Sequence, residues 1–131
     1  MPLPVNDPVI AAIRERLCAI VARLPHRSLG DLASHLEVEP DRLRVLLDEG
    51  DKPVDVAFLI DVVAAVVREF AVDPLWLLTG RYDATEHRRA LMLGEDSSRR
   101  GHEALRDFVR DEYQRLRDGL SFFSWPLLRG R

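Results

Sequence analysis

Residues 54–72 constrain the fold most, because their side chains are apolar on nearly every side. The run has only four charged residues, Asp55, Asp61, Arg68 and Glu69. Its many β-branched residues would also suit a buried strand, but it is longer than a typical strand and no second strand is available to pair with it. We therefore predict a central helix that the rest of the chain must cover.

Two short helices joined by a tight turn are predicted within residues 28–53. Ser28 is placed to cap the first helix, and Asp31, three residues later, completes a pattern close to a capping box. Pro40 falls in the first turn of the second helix, where its missing N–H costs nothing. Ala33 is small enough to let two steeply crossing helices approach each other.

Capping signals predict one more helix on each side of these elements. An N-terminal helix begins at Pro8 and is ended by Pro25, with apolar residues at steps of three and four. After the central helix, residues 74–79 form a short helix that begins with proline and is closed by Gly80. The face of the N-terminal helix that is predicted to be exposed to solvent carries Arg14, Glu15, Arg16 and Arg23.

The last third of the chain predicts a helix from Asp83 or Thr85 to Leu93, a loop at residues 94–98 and a long amphipathic helix. The long helix has a heptad-like apolar stripe, and an aromatic tail follows it. Because little chain remains to cover this stripe, we predict that residues 81–131 form a helical dimerisation region; packing back on the same chain is the alternative. The predicted dimer contacts are Leu105, Phe108, Val109, Tyr113, Leu116, Leu120, Phe122, Phe123 and Trp125.

Composition favours a soluble globular protein, since 47% of the 131 residues are apolar and 31% are charged. The longest apolar run is too short to span a bilayer and the N-terminus lacks a signal-peptide pattern, so we expect a cytoplasmic protein, nucleoid-associated if it binds DNA. The net charge of −3 argues against nucleic-acid binding by bulk electrostatics. Cys18, the single cysteine, has no internal disulfide partner and is expected to behave as a small hydrophobic residue.

No catalytic or metal-binding pattern is present in the sequence. The four histidines are scattered, no glycine-rich phosphate loop occurs, and Cys18 has no identifiable base. We therefore expect no enzymatic activity, no metal and no cofactor.

Three segments occur in an order that a known family shares: LGDLASHLEV, EPDRLRVLLDEGDKP and, after the apolar helix, AVDPLWLLTG. Together with the N-terminal helix they resemble the lambda-repressor-like helix-turn-helix family, also called the Xre type, over residues 8–80. The ending DPLWLLTG is the most specific piece. The resemblance implies an all-α fold with a five-helix DNA-binding domain at residues 8–80, followed by the helical dimerisation region at 81–131.

The same resemblance implies a sequence-specific transcriptional regulator that binds double-stranded DNA as a homodimer, with its third helix in the major groove. By position, Ser28 and Leu29 would face phosphate, and Lys52 would lie near the DNA backbone. The groove-facing residues would be Glu39, Asp41, Arg42, Arg44 and Val45. Arg42 and Arg44 are the candidates for guanine contacts, because a guanidinium can bind O6 and N7 together; solvated pairing with Asp41 or Asp48 is the alternative.

Two features leave another function open. Glu37 stands where the family commonly has glycine, so either it adopts a left-handed conformation or the turn takes a different path. Acids outnumber bases around the third helix: Glu37, Glu39, Asp41, Asp48, Glu49 and Asp51 lie near Arg42, Arg44 and Lys52. The alternative function is a protein-interaction adaptor, or an antitoxin-like protein whose C-terminal helices bind a protein partner.

Overall fold

The computed structural model describes residues 8–48, 53–93 and 99–121, without the side chains of residues 90, 93, 99–102 and 119–121. Within these ranges the chain is all-α, as predicted. Its helices are α1 (Pro8–Val21), α2 (Leu29–Leu36), α3 (Pro40–Leu47), α4 (Val56–Phe70), α5 (Pro74–Thr79), α6 (Ala84–Leu93) and α7 (Arg99–Ser121).

The central position of α4 is confirmed. Helices α1, α2, α5 and α7 all pack against it, and most of its residues from Phe58 to Val66 are buried. The helix is two residues shorter at each end than predicted. It begins where the Asp55 side chain accepts a hydrogen bond from the Phe58 N–H at 3.2 Å, and it ends where Ala71 adopts a left-handed conformation, with φ of 58°.

Helix α1 ends at Val21, before the predicted end near Pro25, because the residues that follow Val21 form a tight turn instead of continuing the helix. In that turn the Leu24 N–H donates to the Val21 carbonyl at 3.1 Å. Arg16, expected on the solvent-exposed face, is half-buried and donates to the carbonyls of Leu77 and Leu78 at 2.8 and 3.0 Å. Arg16 therefore joins α1 to α5.

The environment of Arg16 also explains a requirement for glycine at position 80. Burial lowers the pKa of the Arg16 guanidinium, and Glu15 opposes that shift, but an arginine stays protonated in either case. Gly80 has a φ of 80°, and a Cβ there would lie 3.2 Å from Arg16 Nη1. The Gly80 N–H donates to the Trp76 carbonyl at 2.8 Å, so the helix end predicted at this glycine is confirmed.

Two residues, Asp83 and Thr85, were predicted as possible starts of helix α6. Asp83 Oδ1 accepts hydrogen bonds from the N–H groups of Thr85 and Glu86 at 2.9 and 3.1 Å, so Asp83 rather than Thr85 caps this helix. The loop predicted at residues 94–98 lies outside the described residues. Among the residues that are described, no helix has the length and apolar character needed to cross a membrane.

Helix α7 packs along α4 and α5 of its own chain. Val109 is fully buried and Tyr113 is 4% exposed, and both belong to the core formed by the preceding helices. Leu105 and Leu116 are half-buried against that core. The expectation that too little chain remains to cover the stripe is therefore wrong for these four residues, because α4 offers an apolar surface on the side facing α7.

Among the five members of the predicted dimer set whose side chains are described, Phe108 is the exposed one, with 49% of its surface accessible. The side chains of Leu120, Phe122, Phe123 and Trp125 lie outside the described part of the chain. The contact between α7 and α4 also includes an ion pair, in which Arg106 Nε lies 3.7 Å from Asp61 Oδ1.

Candidate nucleic-acid interface

Helices α2 and α3 are joined by a tight turn whose path depends on Glu37. This residue adopts the left-handed conformation, with φ of 60° and ψ of 44°, so the first of the two alternatives for the turn is confirmed. Its N–H donates to the Ser34 carbonyl at 3.1 Å, and the Val38 N–H donates to the Ala33 carbonyl at 2.9 Å. These bonds satisfy the carbonyl end of α2 and redirect the chain into α3.

The crossing of α2 and α3 is fixed by small and apolar side chains. Ala33 is fully buried, as its predicted role requires, and Leu43 and Leu46 bury the inner side of α3. Ser28 Oγ accepts a hydrogen bond from the Asp31 N–H at 3.1 Å, which confirms the predicted cap of α2. The helix pair therefore presents α3 to solvent on a rigid support.

The outer face of α3 carries the residues predicted to face the major groove of DNA. Asp41, Arg42, Arg44 and Val45 are all exposed, and Val45 retains 41% of its accessible surface. Glu39 precedes the helix and is also exposed, but its Oε1 accepts a hydrogen bond from the Asp41 N–H at 2.9 Å. The Glu39 side chain thus caps α3 and points toward the helix N-terminus.

Arg42 is held by residues of α4. Its Nη2 donates to Asp55 Oδ2 at 2.9 Å, and its guanidinium carbon lies 4.2 Å from the centre of the Phe58 ring. Asp55 is also the residue that caps α4 through its other oxygen. The alternative to a guanine contact had Arg42 paired with Asp41 or Asp48. Its partner is instead Asp55, the N-cap of the next helix, because α3 lies against the start of α4.

Arg44 pairs with Asp41 on its own helix, as the alternative of solvated pairing expected. Its Nη2 lies 3.1 Å from Asp41 Oδ1 one turn earlier, and both side chains are largely exposed, at 67% and 81%. Exposed pairs of this kind contribute only about 0–1 kcal/mol, because water and salt compete for both charges. Arg44 can therefore exchange its partner at little cost.

An open groove separates α3 from the start of α4 and from α1. It has a volume of about 260 Å³ and is mostly apolar, with Val54 and Phe58 among the residues that line it. Arg14 of α1 lines the same groove as Arg42, is half-buried and has no ion-pair partner in the described part of the chain. Arg14 and Arg42 therefore bring two guanidinium groups to one groove, and Arg44 lies on the exposed face of α3.

Acidic groups nevertheless outnumber the arginines on this face. Exposed carboxylates are contributed by Glu37, Glu39, Asp41, Asp48 and Asp55. The two that pair with Arg42 and Arg44 reduce the positive potential that an approaching phosphate meets. This local excess agrees with the overall charge of −3 and limits any non-specific affinity for nucleic acid.

The residues expected to contact phosphate differ in what they offer. Ser28 is exposed at the N-terminus of α2, where unpaired N–H groups and the helix dipole favour an anion. Leu29 is half-buried and its side chain packs against the core, so only its backbone is available for such a contact. Lys52 lies outside the described residues.

In the described part of the chain, no group of three or more histidine, cysteine, aspartate or glutamate side chains could hold a metal ion. His35 Nε2 lies 3.1 Å from Glu69 Oε1, and His87 lies between the Tyr82 hydroxyl and the Ala71 carbonyl. Cys18 is half-buried, with its sulfur 3.6 Å from the Leu47 carbonyl.

Sequence reasoning missed Asp55, Phe58 and Arg14 as parts of this site. Asp55 and Phe58 are recognisable as a cap and a core residue of α4, but their contact with Arg42 depends on how α3 crosses α4, which helical spacing does not specify. Comparison with protein-family models, curated proteins and solved structures finds no match to this chain.

Proposed function

We propose that this protein is a transcriptional regulator that binds a specific sequence in double-stranded DNA as a homodimer, without catalysis. The observation that supports the proposal is the outer face of α3, where Arg42 and Arg44 project from an exposed helix whose inner side is fixed on α2 and the core. A helix supported in this way fits the major groove of B-DNA.

The two arginines recognise guanine by exchanging their acidic partners for base edges. Each guanidinium can donate two parallel hydrogen bonds to O6 and N7 of one guanine, and such a pair discriminates by about 1–3 kcal/mol. Both arginines are exposed in the absence of DNA, so solvent weakens the ion pairs with Asp55 and Asp41 that DNA binding would break. Asp41, once released, can accept from a cytosine amino group on the opposite strand.

Phosphate contacts orient the domain on the duplex. The N-terminus of α2, with Ser28, offers backbone N–H groups to one phosphate. Lys52, which follows α3 in the sequence, is proposed to contact the DNA backbone. Arg14 is added to this set, because it lines the same groove as Arg42 and Val45 and has no acidic partner in the described residues.

The proposed homodimer uses apolar surface that the monomer leaves exposed. On the described residues, Phe108 of α7 and Leu91 and Met92 of α6 retain 49%, 45% and 69% of their surface. A two-fold arrangement places one α3 in each of two major grooves about one DNA turn apart, which predicts a palindromic operator.

The acidic surroundings of α3 favour a second candidate function. The five exposed carboxylates around Arg42 and Arg44 suit contacts with a basic protein surface. In that case the protein is an adaptor or an antitoxin-like protein, and its C-terminal helices contribute to binding the partner.

Selection of duplexes from a random library separates the two functions. We expect the full chain to enrich one palindromic sequence, and we expect Arg42→Ala and Arg44→Ala each to relax the preference at a guanine position. Arg88→Ala is the matched control, because Arg88 is exposed on α6 and should leave the enriched sequence unchanged. Failure to enrich any duplex in low salt would favour the protein-interaction function.

A further inference from the structure

A second cavity lies between α5, α6 and α7, and no residue of α3 lines it. Its volume is about 190 Å³. Its apolar wall comes from Pro74, Leu75 and Leu78 of α5 and Phe108 of α7. Three carboxylates, Asp73, Glu86 and Glu112, and the Thr79 hydroxyl complete the lining. No lysine, arginine or histidine is among the lining residues, so the cavity combines an apolar interior with negative charge.

Asp73 distinguishes this cavity from a surface patch of acids. The residue is only 6% exposed, and its Oδ1 accepts a hydrogen bond from the Leu75 N–H at 3.3 Å. Its Oδ2 is buried and has no hydrogen-bond partner among the described residues, and no described cation lies within ion-pair distance of the side chain. Buried charges in proteins are normally paired, whereas this carboxylate is compensated only by the N-terminus of α5 among the described residues and lacks a cationic partner.

The other two carboxylates differ in how far they are compensated. Glu86 lies 3.5 Å from Arg89, and Glu112 pairs with Arg115 one turn along its helix. Glu112 is the better shielded of the two, with 27% of its side chain exposed compared with 52% for Glu86. Both arginines are largely exposed and outside the cavity lining, so they compensate Glu86 and Glu112 from the solvent side, and Asp73 is the lining carboxylate without a described ion-pair partner.

Thr79, which also lines the cavity, offers no free donor. Its hydroxyl donates to the Leu75 carbonyl at 2.6 Å, and the hydroxyl oxygen accepts from the Arg81 N–H at 3.2 Å. An anionic or purely acceptor ligand would therefore meet carboxylates without a compensating donor. A ligand that brings its own positive charge and its own N–H donors satisfies the lining best.

From these observations we propose that the cavity binds a small organic cation, an ammonium group joined to an apolar body about the size of one aromatic ring. The size follows from the volume, because an apolar cavity of about 150 Å³ holds a benzene molecule. The ammonium group supplies the charge that Asp73 lacks and donates toward Glu112, while Phe108 and the leucines contact the apolar body.

Binding can be tested with 2-phenylethylammonium on the full-length chain by isothermal titration calorimetry. The neutral isostere 2-phenylethanol and the anion phenylacetate test the charge, and ethylammonium tests the apolar body. We expect saturable binding of 2-phenylethylammonium that is about tenfold or more tighter than that of 2-phenylethanol, which is the loss expected for a missing charge-assisted contact. Phenylacetate and ethylammonium should not bind measurably.

Variants assign the binding to this cavity. Asp73→Asn retains an N-cap residue for α5 but removes the charge, and we expect it to weaken 2-phenylethylammonium about tenfold or more. Glu112→Gln should also weaken it and replaces Asp73→Asn as the test if that variant does not fold. Asp111→Asn is the control, because Asp111 is an exposed residue of α7 outside the cavity lining, and it should bind like the wild type.

Two results would overturn the proposal. One is equal binding, or no binding, of the ammonium and the alcohol by the wild-type chain. The other is unchanged affinity for 2-phenylethylammonium in both Asp73→Asn and Glu112→Gln. Neither result depends on whether the protein binds DNA, so this site is tested independently of the proposed function.

Discussion

At the scale of single residues, Glu37 and Ala71 have backbone conformations that glycine tolerates best. Their φ angles are 60° and 58°, and each ends a helix. The missing glycine after α2 was apparent from the sequence, and the two possible outcomes could be stated. The choice between them depended on the burial of Ala33 and Leu43, because these contacts fix the crossing of α2 and α3 and leave one path for the turn.

Replacing Glu37 by glycine should stabilise the fold. The substitution removes a Cβ from a left-handed position, and the greater freedom of glycine in the unfolded chain offsets part of the gain. We expect the free energy of unfolding to rise by about 0.5–1 kcal/mol in a urea titration. Ser34→Gly, in the exposed interior of α2, should lower it by a similar amount. A lower unfolding midpoint for Glu37→Gly would show that the side chain contributes more than its conformation costs.

The ion pair between Arg42 and Asp55 makes a second residue-scale prediction. Asp55→Asn keeps a residue that can cap α4 but frees the guanidinium of Arg42 and removes one negative charge from the side proposed to face DNA. We expect tighter binding to the selected duplex, by roughly threefold to tenfold, in fluorescence anisotropy. Asp83→Asn, which changes an equivalent cap at α6, should have no effect. Weaker binding by Asp55→Asn would mean that Asp55 orients Arg42 for contact.

At the scale of whole helices, most boundaries could be predicted because side-chain caps specify them. Asp73 and Asp83 begin helices and Gly80 ends one, as predicted, whereas the cap of α4 at Asp55 was missed and its start was predicted two residues early. The partner of α7 could not be predicted in the same way. A heptad-like stripe shows which face of a helix is buried but not what buries it, and α4 has apolar residues on several sides that another helix can cover.

The packing of α7 on α4 can be tested through Val109. This side chain is fully buried in the core of its own chain, so Val109→Ala leaves a cavity and should lower the free energy of unfolding by about 2 kcal/mol. Arg88→Ala, at an exposed position of α6 outside the proposed dimer surface, should change it by less than about 0.5 kcal/mol. If Val109→Ala instead dissociated a dimer without changing the stability of the monomer, α7 would pack between chains.

At the scale of the whole molecule, the proposed dimer depends on Phe108 rather than on the buried part of the α7 stripe. We expect the wild-type protein to sediment as a dimer at micromolar concentration and Phe108→Arg to sediment as a folded monomer, because a charge replaces exposed apolar surface. Arg110→Ala is the control, since Arg110 is exposed on the same helix and, among the described residues, forms an ion pair with Asp107 alone. A wild-type monomer at these concentrations would contradict the dimer.

The candidate site could be predicted from the sequence only in part. The family resemblance assigned Asp41, Arg42 and Arg44 to the outer face of α3, and all three are exposed in the structure. The charges that these residues meet come partly from other helices, such as Asp55 of α4 and Arg14 of α1. Such contacts depend on the angle between helices, which local sequence patterns do not determine.

The most direct measurement of the proposed function is a salt titration of binding to the selected duplex, compared with a scrambled duplex of the same composition. We expect the logarithm of the affinity to fall linearly with the logarithm of the salt concentration, and the selected duplex to bind about a thousandfold or more tighter. Arg42→Ala and Arg44→Ala should each remove much of that difference. Equal affinity for both duplexes, or no binding at about 50 mM salt, would contradict sequence-specific DNA binding.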